Sequence, residues 1–147
     1  MNVCAHGVSI REYAIAQTTN LLDTAATALS AAAKSPDAEA VHKMRVSIRR
    51  LQQAMRLFSQ FLKKRGAGRV RKQLKDVMTA AGELRNFDIA IPLVKRLGTP
   101  LPELKQQRTI AKQKLAEVLG RIVQPDLRSE WAAELGIRPD EEETVEA

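Results

Sequence analysis

Acidic residues are missing from a long stretch of this 147-residue chain: from Val41 to Lys75 there are twelve Lys and Arg and not one Asp or Glu. Aromatic residues are scarce, only Tyr13, Phe58, Phe61, Phe87 and Trp131, too few for a platform on which single-stranded bases stack. The lone cysteine, Cys4, can form no internal disulfide, and no Cys/His cluster offers a metal site, which fits a reducing compartment. No apolar run reaches the roughly 18 residues that span a membrane, and the first residues lack the apolar stretch of about 7–15 that marks a signal peptide. The chain is therefore expected to be soluble and cytoplasmic. Carboxylates that could gather a divalent metal beside a phosphate are sparse and ungrouped in the basic region. Gly66-Ala67-Gly68 also lacks the Lys-Ser/Thr that completes a phosphate-binding loop. These gaps argue against an enzyme acting on phosphate chains, and neither a metal nor another cofactor is expected.

What is present favours helix. Hydrophobic residues make up 44% of the sequence, enough for a core, and the length suits one domain. Ala, Leu, Gln, Lys and Arg dominate, all good helix formers. A first helix is expected from about Ser9 to Lys34, with Ser9 and Glu12 as a capping box and Ile10, Tyr13, Ala14, Gln17, Leu21, Ala25, Ala28, Leu29 and Ala32 along one side. Ser35-Pro36-Asp37 stops it and starts a second, with serine as cap and proline in the first turn. In that second helix Val41, Met44, Ile48, Leu51, Met55, Phe58 and Leu62 recur at spacings of 3 and 4, an unbroken heptad seam. It is expected to run to about Lys64 and to end at Gly66 and Gly68.

The third helix carries Val70, Leu74, Val77, Ala81 and Leu84; Gly82 would let a neighbour approach closely, and Pro92 would kink or break the helix near Asp88. After a loop at residues 98–102, a fourth helix runs to about Val123 with Leu104, Ala111, Leu115, Val118 and Ile122 inward, and a short helix surrounds Trp131. The expected fold is all-α: an antiparallel bundle of four main helices, one kinked, plus a short C-terminal helix. It occupies residues 1–135, and the acidic tail at 136–147 is expected to be disordered.

The basic stretch has geometry as well as charge. At about 100° per residue from Val41, the apolar seam of the second helix falls between about 260° and 0°, with Arg45, Arg56, Arg49 and His42 at about 40°, 60°, 80° and 100°. They form one stripe beside the seam, about 21 Å long at 1.5 Å per residue, and Arg50 sits farther round. A solubilising face would mix signs. This one has no acids and mostly arginine, whose forked N–H donors match phosphate oxygens. His42 adds a donor whose charge varies with pH. The net charge is +7, and the last eight residues hold five acids, so residues 1–139 carry +12. Such a block calls for an anionic partner.

The segment Val41-His42-Lys43-Met44-Arg45-Val46-Ser47-Ile48-Arg49-Arg50-Leu51, followed by Leu57-Phe58, resembles the signature helix of the CHAD family, the conserved histidine α-helical domain. Leu84-Arg85-Asn86-Phe87-Asp88 resembles that family's second landmark, with Asn86 in place of its first Asp, and Lys105, Arg108 and Lys112 resemble basic positions of its fourth helix. The likeness covers roughly residues 9 to 135. It implies a helical bundle that binds inorganic polyphosphate, without chemistry, through a basic concave surface. Carried over, it puts His42, Arg45, Arg49 and Arg50 on that surface, with Arg56 of the same stripe and Lys72, Lys75, Arg108 and Lys112 as companions. Arg85 and Asp88 read either as ligand contacts or as an interhelical salt bridge fixing the kink. Family members usually hold two similar four-helix halves, and one is present here, so a shallower groove or a homodimer is implied. Polyphosphate granules are the implied location. Sequence-independent nucleic-acid binding is the alternative, since its phosphate contacts would look the same, although no helix-turn-helix or zinc motif is evident. An interaction bundle for acidic or phosphorylated proteins would share the face, and the acidic tail could fold back onto it.

Overall fold

The computed structural model describes residues 9–98 and 102–137. They form five helices: α1 (Ile10–Lys34), α2 (Ala38–Leu57), α3 (Lys64–Arg96), α4 (Pro102–Ile122) and α5 (Leu127–Leu135), with one 3₁₀ turn at Ser59–Phe61 and no strand among the described residues. The all-α bundle expected from the sequence is what forms. α1 packs on α2, α2 on α3, α3 on α4 and α4 back on α1, while α5 packs against α3 and α1.

Local chemistry sets the ends. The Ser9 hydroxyl accepts the Glu12 N–H at 3.0 Å, as expected. The second cap differs from the expectation: Asp37, not Ser35, accepts the Ala40 N–H, at 2.8 Å. Proline disfavours helical backbone in the residue before it, so Ser35 stays extended as the C-cap of α1, Asp37 takes the cap, and the new helix starts at Ala38, two residues after Pro36.

The heptad seam of α2 builds the centre of the core. Val41, Met44, Ile48, Leu51 and Met55 are all buried, and burying each such side chain is worth about 1.5–3 kcal/mol. The helix ends at Leu57 rather than Lys64. A 3₁₀ turn and an extended Leu62 redirect the chain, yet Leu62 still reaches the core. Phe58 meets Tyr13 edge to face at 6.4 Å. Gly66 and Gly68, expected to separate the helices, lie inside the first turns of α3. Gly66 is there because a Cβ would run into the backbone carbonyl of Glu134 on α5. Gly82, expected to admit a close neighbour, has open space around it instead. α3 is continuous through Pro92, so the expected break does not occur; the lost hydrogen bond falls beside an exposed residue near the helix end. On α1, Ala14, Ala25, Leu29 and Ala32 are buried as expected, but the buried face also takes in Thr18, Leu22 and Ala26, and Ile10 is exposed.

α5 is locked onto the start of α3. Trp131 is buried and donates its indole N–H to Gln73 at 2.8 Å. Gly136, at φ 72°, closes α5 with the Ile137 N–H donating to Ala132 and the Gly136 N–H to Ala133, the paired bonds of a Schellman cap. Lys63 donates its backbone N–H to Leu135 at 3.0 Å. Ile137 is buried, so the packed body reaches past residue 135; the acidic tail from residue 138 on, and Cys4, lie outside the described residues.

The two glycines of α3 give opposite expectations in urea or thermal denaturation. Gly66→Ala should cost about 3 kcal/mol, because backbone must move to make room. Gly68→Ala, with nothing nearby, should add about 0.5–1 kcal/mol.

Candidate anion-binding site

Arg45 projects from α2 at the edge of the seam, where neighbouring side chains cover most of it. Its Nε is buried and has no hydrogen-bond partner. Burial holds its guanidinium below the usual arginine range, and the charges of Arg49 on α2 and Arg85 on α3 push the same way. Three cations from two helices therefore converge, and no described carboxylate lies within ion-pair distance of any of them. Like charges brought together at a partly buried edge repel unless an anion joins them. Arg85, which the sequence left between two readings, thus belongs with Arg45. Its neighbour Asp88 takes the other reading: it accepts an interhelical bond from Arg108 Nε at 2.6 Å, both groups partly buried.

The remaining sequence candidates are spread over several surfaces. His42 and Arg50 line an open groove between α1 and α2 of about 840 Å³, whose walls also carry Asp23, Asp37 and Glu39. Arg56 is exposed in the last turn of α2. Lys75 is exposed on α3, about 80° round the helix from Arg85. Lys72 lies about 140° round, lines a cavity against α5 together with Lys63, Arg65 and Arg69, and pairs with Asp76 at 3.6 Å. That shoulder is salt-bridged: Arg69 is held by Glu134 through Nε and Nη2 at 2.8 and 2.7 Å. Acids crowd there as well, since Asp126 chiefly pushes the Glu130 carboxyl above its ordinary range. Arg108 is committed to Asp88 about one helical turn from Arg85, and Lys112, one turn along α4, is exposed. The α2 stripe stays together, but its companions on α3 and α4 do not all join it.

An unmet cation at a packed edge costs stability, as functional sites often do. Arg45→Met keeps the aliphatic stem and removes the charge. In phosphate-free buffer it should raise the melting temperature by ~3 °C; a lower melting temperature would mean Arg45 props the interface instead.

Neither the curated proteins nor the solved structures contain a match to this chain. A family model does match, over residues 16–146, nearly the whole length and including both the α2 stripe and Arg85. With that match over an all-helical body of five helices among the described residues, the chain belongs to the CHAD domain family.

Proposed function

We propose that this domain binds inorganic polyphosphate in the cytoplasm, at polyphosphate granules, and does no chemistry on it. The observation that carries the reading is the convergence of Arg45, Arg49 and Arg85 without a carboxylate. Such a corner recognises dense negative charge, and arginine forks suit tetrahedral phosphate oxygens. Membership of the CHAD family supports the same ligand. Arg56 continues the corner along α2 and Lys75 borders it across α3, while His42 and Arg50 extend the basic surface into the groove towards α1. Arg108, Lys112 and Lys72 act at the margins. The described residues hold no group of three or more His, Cys, Asp or Glu that could grip a metal, and no described helix is long and apolar enough to cross a membrane.

Self-association is part of this proposal. The last buried side chain of α3 is Leu84 and the first of α4 is Ala111. The hairpin beyond them exposes Ile89, Leu93, Leu97 and Ile110. Pairing two such arms about a two-fold axis would cover these residues and set two arginine corners in one particle.

The deciding experiment is binding of long-chain polyphosphate at near-physiological salt with duplex DNA as competitor. Arg45→Met/Arg49→Met/Arg85→Met, shown by circular dichroism to be helical, should bind at least about 100-fold more weakly than wild type. DNA should compete poorly per phosphate. Equal displacement by DNA would replace polyphosphate with general polyanion binding, and normal binding by the variant would move the site elsewhere.

A further inference from the structure

The arginine corner lies at one end of a second basic stripe, on α3. At about 100° per residue from Arg85, Lys64, Arg71 and Lys75 fall at about 60°, 40° and 80°. All four cations therefore share one sector of the helix, and all are exposed. The sector is the shoulder that faces α2, since Arg85 acts on Arg45 across it. The opposite shoulder holds the bonds to α4 and α5, from Glu83 to Lys114, Arg69 to Glu134 and Gln73 to Trp131. None of Lys64, Arg71, Lys75 and Arg85 is within ion-pair distance of a described carboxylate.

The two stripes run side by side. α2 and α3 are packed neighbours joined by a short turn, so they are antiparallel. Stepping from Arg45 to Arg56 along α2 therefore corresponds to stepping back from Arg85 to about Lys75 along α3. Beyond Arg56 the α2 wall ends, and Arg71 and Lys64 continue alone. The α3 stripe covers about 32 Å from Arg85 to Lys64 at 1.5 Å per residue. For the two turns past Arg85 the same sector is apolar, with Ile89 and Leu93 exposed, and a cation returns to it only at Arg96 in the last turn of α3, so the basic run is broken at that end.

We infer that the site is a one-ended track selective for long phosphate chains. One stretch of ligand anchors at the corner of Arg45, Arg49 and Arg85, where the Arg45 Nε is buried and unpartnered, and the rest extends over Lys75, Arg71 and Lys64. This inference rests on the polyphosphate reading and adds the class of chain. The anchor can hold a short oligophosphate. The exposed extension contributes modestly per contact and only to a chain long enough to reach it.

The test compares tripolyphosphate with long-chain polyphosphate on wild type and on Lys64→Ser/Arg71→Ser, by titration at several salt concentrations. The variant should lose about fivefold in affinity for the long chain, with a salt dependence shallower by roughly 1.5 in log–log slope. Its tripolyphosphate affinity should match wild type, which also shows that it is folded. Equal loss for both ligands, or for neither, would overturn the track. Should wild type bind neither phosphate, the polyphosphate reading falls with it. A wild type that binds both, with a variant that discriminates no differently, removes the track alone.

Discussion

One guanidinium, that of Arg45, constrains everything around it: it is pressed between helices beside two more arginines, with a buried nitrogen that nothing in the described chain satisfies. A group in that condition persists only if the packing behind it is strong enough to hold it. That packing is the heptad seam of α2, whose Met44, Ile48, Leu51 and Met55 are fully enclosed. The seam and the stripe have the same period, so the arc that builds the core also fixes where the arginines emerge. α3 then has to run antiparallel alongside, which presents Arg85 to Arg45. Fold and site come from one periodicity.

How much of this could be read in the sequence depends on how redundant each signal is. The α2 seam runs through seven residues, and for the five that lie on the helix, Val41 to Met55, the buried face is where arithmetic puts it. On α1 the adjacent Leu21 and Leu22, set among many alanines, satisfy either of two faces. Only the helices packed against it choose Leu22. Gly66 is ambiguous in the same way. A glycine between two helical patterns signals a break, but the reason for this one is the carbonyl of Glu134, distant in sequence and invisible in it.

Lys72 and Arg85 show the same limit at the site. Both are basic residues of α3, and in the sequence the family resemblance makes Lys72 a companion of the α2 stripe while Arg85 stays between two readings. Which shoulder faces α2 is a tertiary fact, and it favours Arg85. The angular test that found the stripe on α2 separates the basic residues of α3 equally well. It needs one contact to say which sector matters.

Acids discriminate better than bases do. Where the acids of α3 and α5 meet cations, three of the four pairs join helices, Asp88 with Arg108, Glu83 with Lys114 and Glu134 with Arg69, and one, Asp76 with Lys72, stays within α3. The interhelical cations hold the bundle together, and much of their charge is answered. On the other shoulder the density of positive charge is similar, but carboxylates are missing. A surface that merely kept the protein soluble would gain by interspersing them, because like charges in file repel. The omission lowers the stability of the free domain and gains nothing for it until an anion arrives. A ligand of high charge density recovers most in that exchange when it lies along the whole file, and the missing acids are thus the physical argument for the proposed site and for its proposed preference for a chain.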